Sequence, residues 1–203
     1  MATAIELLRQ GRRDEIWKKY CGFLDLSLAE IMQIQERLLE QLCLLGTSEL
    51  GRELLGGRVP TTVEDFRQNV PLTTYRDYSL YLLDKREDVL PRPPQWWLHT
   101  SGRSGEYTLK WVPYTPQMVQ RLNECAMATL ILASCSQRGE FVFEEGDVML
   151  FTLAPFPYVS GALARGFQTE FAFTFIPPLE VAESMDFAER IQEGFRLGLK
   201  TGV

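Results

Sequence analysis

Between residues 28 and 45 the apolar positions Leu28, Ile31, Ile34, Leu38, Leu42 and Leu45 recur every three or four residues, which predicts one long amphipathic helix stopping at Gly46. Ser27, three residues ahead of Glu30, supplies a capping box at its start. Three shorter helices carry similar signals. Thr47 and Ser48 can cap a helix that ends at Gly56-Gly57, Thr62 with Asp65 one that runs to Val70, and Thr74 with Asp77 one that runs toward Leu83. Pro91, Pro93 and Pro94 then bar any helix. The period changes at this point. Residues 94–99 and 107–112 are rich in aromatic and β-branched side chains and read as two strands joined by the segment between them.

Thr115 and Pro116 open a helix that continues to about Ser134, and residues 126–133 are apolar on nearly every face, so that half is expected to be buried on more than one side. Residues 147–153 and 170–176 are near-continuous apolar runs, as in strands covered on both faces. A final helix from Ser184 to about Thr201 carries Met185, Phe187, Ile191, Phe195 and Leu199 as a stripe. Helices alternating with buried strands give the α/β class: a mainly helical lead-in over 1–90, then a hairpin and a mixed sheet flanked by helices over 91–203. No repeat, low-complexity run or linker divides the chain, so a single domain is expected. The apolar helix face so near Val203 makes it read as the leading portion of a larger one.

Composition narrows the function classes. Forty-five per cent hydrophobic and 24% charged residues describe an ordinary globular chain. A net charge of −6 with scattered basic residues argues against nucleic acid or an anionic membrane as partner. No apolar run reaches the ~18 residues of a membrane span, and no signal-peptide pattern opens the chain. Cys21, Cys43, Cys125 and Cys135 lack metal-site spacing and sit among apolar residues, which fits reduced thiols in the cytoplasm and predicts no metal centre.

The candidate chemistry lies between the two strands of the hairpin. Thr100, Ser101, Gly102, Arg103, Ser104 and Gly105 concentrate hydroxyls and glycines in one turn, and Lys110 follows. Glycines let successive N–H groups converge on an anion, hydroxyls add donors, and a lysine adds a mobile positive charge; this is a phosphate-holding pattern. It is not a Walker A loop, because no lysine follows Gly105 and a strand follows instead of a helix. Nor is it a nucleophile elbow, since Gly102-Arg103-Ser104-Gly105 is out of register by one residue. His99, the chain's one histidine, is expected to be a packed or surface residue, not a catalyst.

The loop together with Lys110-Trp111-Val112-Pro113-Tyr114-Thr115 resembles the phosphate loop of the adenylate-forming, acyl-activating superfamily. Upstream, Phe66-Arg67-Gln68-Asn69-Val70-Pro71-Leu72-Thr73-Thr74-Tyr75-Arg76-Asp77-Tyr78 resembles the lead-in segment of its auxin-responsive acyl-acid amido synthetase branch, and phenylacetate–CoA ligases have a comparable layout. Arg103 departs from the pattern by replacing a Thr or Ser with a guanidinium fork, and Lys110 lies five residues after Gly105, a longer gap than the family usually shows. The family's adenine motif, ribose aspartate, hinge and small C-terminal domain are not found within the 203 residues.

The resemblance implies the N-terminal portion of the large domain of an acyl-adenylating enzyme. It implies ATP and Mg²⁺, a small carboxylic acid as substrate, and an amino acid or coenzyme A as acyl acceptor. On that reading the loop holds the β- and γ-phosphates, with Lys110 and Arg103 offsetting their charge. Pro155-Phe156-Pro157-Tyr158-Val159-Ser160-Gly161 resembles the small-residue turn lining the acyl pocket in phenylacetate–CoA ligases, and makes Phe156, Tyr158 and Gly161 the candidate substrate contacts. The competing expectation is a non-catalytic binding module that retains part of the fold and covers its apolar faces with a partner, for instance as a homodimer.

Overall fold

The computed structural model describes residues 2–100 and 107–203. Two helices open the chain, α1 (Ala4–Arg9) and α2 (Arg13–Cys21), followed by a 3-10 turn at Gly22–Asp25. Four helices come next: α3 (Leu28–Leu45), α4 (Glu49–Leu54), α5 (Val63–Asn69) and α6 (Tyr75–Leu82). Strands β1 (Trp96–Thr100) and β2 (Lys110–Tyr114) precede α7 (Pro116–Ser134) and β3 (Val148–Leu150). The chain then runs through α8 (Val159–Phe171), β4 (Thr174–Ile176), α9 (Leu179–Ala182) and α10 (Phe187–Thr201). The architecture is mixed α/β, as expected.

Two compact units divide these elements, residues 25–117 and residues 1–24 with 118–203. In the first unit the capping signals read from the sequence are made as hydrogen bonds. Ser27 and Glu30 close a capping box on α3, Ser48 caps α4, Thr62 caps α5, and Thr74 and Asp77 form a second box on α6. Each cap is worth roughly 1 kcal/mol to its helix. Strands β1 and β2 pair antiparallel with Thr100 opposite Lys110 and His99 opposite Trp111. A small core of Leu50, Leu82 and Val89 lies under the rings of Tyr75, Tyr78, Tyr81 and Trp97.

The second unit holds the larger core. Met127, Ala128 and Ile131 of α7 share one core with Ile16, Trp17, Tyr20 and Cys21 of α2, and a run of phenylalanines, Phe141, Phe143, Phe167, Phe171 and Phe173, belongs to the same core. Phe171 stacks on Phe173 at 5.1 Å and on Phe141 at 5.2 Å, and such ring pairs contribute about 0.5–1.5 kcal/mol beyond the area they bury. Strands β3 and β4 pair in parallel, Met149 opposite Phe175, and α8 makes the crossover a parallel pair requires.

Two expectations are corrected in this unit. Residues 170–176 do not form one strand: α8 runs on to Phe171, Ala172 turns the chain with φ of 55°, and the strand starts at Thr174. A short apolar run has the same pattern at a buried helix end as in a buried strand, so periodicity alone does not separate them. Gly161 lies inside α8, not in a turn. The stripe on α10 also behaves differently from a core face. Arg190, Gly194 and Gly198, four residues apart, are the buried row, while Phe187, Phe195 and Leu199 are 62%, 53% and 83% exposed. A Cβ at Gly194 would lie 3.3 Å from Leu150 and Pro177, so the absence of side chains is what lets the helix backbone settle on the ends of the strands.

Candidate functional site

Thr100 and Lys110 end and begin the two strands of the hairpin, facing each other across the ladder. Ser101, Gly102, Arg103, Ser104 and Gly105 lie outside the described residues. What the structure defines is the frame on either side of them. Trp111, next to Lys110, sits at the free edge of β2, and its backbone is claimed by one side chain: the Trp111 N–H donates to the Tyr75 hydroxyl at 2.9 Å, and that hydroxyl donates to the Trp111 carbonyl at 3.2 Å. A single phenol thus satisfies both polar groups of an edge residue that would otherwise need water. Burial pushes the Tyr75 phenol above its usual pKa.

Tyr75 is the first residue of α6, set in place by the Thr74–Asp77 capping box, in which Thr74 N–H donates to the Asp77 carboxylate at 2.5 Å. Its ring lies edge-on to Tyr78 at 5.6 Å and to Tyr107 at 5.2 Å, and the Tyr107 hydroxyl donates to Ser79 Oγ at 3.1 Å. The two segments paired in the sequence analysis, the one around Val70-Pro71-Leu72-Thr73-Thr74-Tyr75 and the strand after the loop, are therefore one hydrogen-bonded structure. Tyr107, at the end of the loop, is tied to the same helix.

Lys110 Nζ lies 5.9 Å from the Tyr75 ring centroid, and among the described residues no carboxylate pairs with it. A second lysine was not anticipated. Lys85, at φ of 51°, places Nζ 3.4 Å from the centroid of the Trp111 ring, whose edge meets His99 at 4.6 Å. Sequence offered no signal for Lys85, since it belongs to neither motif. His99 is buried at 5% exposure, and burial holds its imidazole below the usual range. It is a packed residue, as expected. Two lysines, Lys85 and Lys110, thus lie against aromatic rings of this frame. Among the described residues no group of three or more His, Cys, Asp and Glu side chains is placed to hold a metal ion.

The second candidate segment belongs to the other unit. Phe156 and Tyr158 are both half-buried, and Tyr158 N–H donates to the Pro155 carbonyl at 2.9 Å to start α8. Gly161 is required by contact: a Cβ there would fall 2.1 Å from the Phe156 nitrogen and 2.3 Å from the Pro155 carbonyl carbon. Its role is to let α8 pass under the Pro155-Phe156 backbone. Phe156 is held on its other side by Arg165, whose guanidinium carbon is 4.0 Å from the ring centroid and whose Nε and Nη2 donate to the Glu183 carboxylate at 2.8–3.0 Å. Arg165 was missed by sequence reasoning; its place one helical turn after Gly161 is the signal that was available.

With this geometry established, three comparisons with known proteins place the chain. The model of the GH3 family N-terminal domain matches residues 22–199. No curated protein matches the sequence. Among solved structures, the acyl acid amido synthetase AtGH3.15, in a complex with 2,4-DB, has a similar fold at a TM-score of 0.54 and 22% identity. The match covers 78% of this chain and 29% of that one, so the chain spans less than a third of the length of that synthetase.

Proposed function

Because the chain belongs to the GH3 family, whose N-terminal domain it carries, we propose that its protein activates a small carboxylic acid with ATP and transfers the acyl group to an amine or thiol, with this chain supplying the phosphate loop. The observation that carries the reading is the double hydrogen bond of Tyr75 to Trp111, which locks the lead-in segment to the strand presenting Lys110. An amino acid is the acceptor we favour, since the structural neighbour is an acyl acid amido synthetase.

In the first step a carboxylate oxygen of the acid attacks the α-phosphorus of ATP, a new P–O bond forms, the bond to the β-phosphate oxygen breaks, and pyrophosphate leaves. In the second an amine or thiol attacks the acyl carbon and AMP leaves with the bonding pair. The chain's contribution to the first step is electrostatic. Backbone N–H groups of residues 101–105 and the hydroxyls of Ser101 and Ser104 hold the departing phosphates, and Lys110 and Arg103 offset the charge that develops on them. Tyr75 fixes the strand so that Lys110 is in position before ATP arrives. Magnesium, when it accompanies the triphosphate, neutralises phosphate charge with oxygen ligands of its own.

The test is ATP–pyrophosphate exchange by the full-length protein with a panel of aromatic and aliphatic acids. Acid-dependent exchange is expected, and Lys110→Ala should lower it by on the order of 10²-fold, the usual loss on removing one donor to a transition-state anion. An unchanged exchange rate in that variant would remove Lys110 from the phosphate site.

A further inference from the structure

Lys85 holds a φ of 51°, and Ala172 is the other residue with a side chain that has a positive φ among the described residues. The backbone around Lys85 has the form of a Schellman helix end. Its N–H donates to the Leu82 carbonyl at 3.2 Å and the Arg86 N–H donates to the Tyr81 carbonyl at 3.0 Å, which closes α6. Glycine is the ordinary occupant of that left-handed position, because a Cβ there crowds the following carbonyl. A lysine is the worse choice for the backbone, so what it contributes is its side chain. That side chain places Nζ 3.4 Å from the centroid of the Trp111 ring. Two acids that follow it are committed elsewhere: Glu87 accepts the Trp97 Nε1–H at 3.0 Å, and Asp88 pairs with Arg86 at 2.6 Å.

Trp111 is held from two directions. Tyr75 takes its backbone N–H and carbonyl, and Lys85 takes its ring, whose edge meets His99 on the paired strand. Trp97 and His99 lie two residues apart on β1 and share the face on which Trp111 stands. The turn after α6 therefore grips both strands on that face, β2 through Lys85 and Trp111, β1 through Glu87 and Trp97. Lys110, one residue before Trp111, belongs to the other face. What Lys85 governs is thus the strand that carries Lys110.

We propose that Lys85 is a positioning residue for Lys110: its ammonium fixes the Trp111 ring, and with it the start of β2 from which Lys110 meets the phosphates of ATP. An ammonium over an indole face is attracted by the negative charge of the π-cloud, and indole is the ring that holds a cation best. The strand is then set before the nucleotide arrives, so that binding need not supply the ordering. The assignment deepens the adenylation reading and rests on it for what Lys110 contacts. Phosphate binding needs no acid and no turnover, which keeps the two separable.

The experiment measures pyrophosphate binding by calorimetry and ATP–pyrophosphate exchange, both with the full-length protein. Lys85→Met, which keeps the stem and removes the charge, should weaken pyrophosphate binding and raise KM for ATP by about 3- to 5-fold, the loss of one cation–π contact, with KM for the acid unchanged. Lys85→Arg, whose guanidinium also stacks on indole, should restore both. Lys85→Gly separates positioning from stability. Glycine suits the left-handed helix end, so this variant should melt above Lys85→Met and yet bind pyrophosphate as weakly. In a Lys110→Ala background, Lys85→Met should add nothing further, because the two residues act along one route. Unchanged pyrophosphate binding in Lys85→Met, wild-type binding in Lys85→Gly, losses that add in the double variant, or a wild type that binds no pyrophosphate would each overturn the proposal. Pyrophosphate binding that depends on Lys85 without any acid-dependent exchange would leave it standing and sink the adenylation reading. Acid-dependent exchange with the same KM for ATP in Lys85→Met would do the reverse.

Discussion

His99 shows how one side chain ties packing to pH. The imidazole is enclosed by burial with Trp111 against it, so the folded state binds its proton less readily than the unfolded chain does. Its contribution to stability is complete above the unfolded pKa of about 6.5 and is lost as pH falls below that value. Unfolding free energy in urea should thus decline as pH falls below about 6.5 in the wild type, with His99→Gln flatter over the same range; identical slopes would show that the imidazole is not dehydrated in the fold. Glu170 works with the opposite sign. Burial pushes its carboxyl up, yet hydrogen bonds from Tyr20, Lys19 and the Ala4 N–H outweigh burial and hold it below its ordinary range. That stabilisation is present above the ordinary glutamate pKa and disappears as pH falls through the lowered one. Glu170→Gln should cost about 1–3 kcal/mol at pH 7, read from the urea midpoint, because three donors lose a charged acceptor.

Among the elements, α8 is the one whose identity most affects the site. Its first turn depends on Gly161, where any side chain meets the Pro155-Phe156 backbone at about 2 Å. Gly161→Ala should therefore displace the 155–158 segment, raising KM for the acid with a smaller effect on KM for ATP; equal changes in both would argue that the segment does not touch the acid. The capping boxes were readable in the sequence because a cap is a local event, a hydroxyl or carboxylate reaching an N–H three residues away. The helix expected to open at Thr115-Pro116 and continue to about Ser134 spans Pro116–Ser134. The end of α8 was not legible, since Phe171, Phe173 and Phe175 are equally apolar whether they close a helix or form a strand, and only their partners decide. The apolar stripe of α10 was read from its period, but the period identifies a face without saying what meets it. The helix docks through its glycines, which allow the closer approach.

For the whole molecule, the chain alone determined the class of fold, the order of its capped helices, and a hydroxyl- and glycine-rich loop followed by a lysine between two strands. Those features are written in spacings of a few residues, where local propensity and hydrogen bonding govern. The family model spans residues 22–199. Tertiary structure alone decided that Tyr75 clasps Trp111 across 36 residues, that Lys85 arrives over the same ring, and that Arg165 braces Phe156. It also decided that Arg190 is closed in between two phenyl rings with its donors unspent. Nothing in a linear pattern distinguishes that arginine from the solvated Arg196 six residues later. Burial is a property of the packed chain, and it is what sets this helical charge apart.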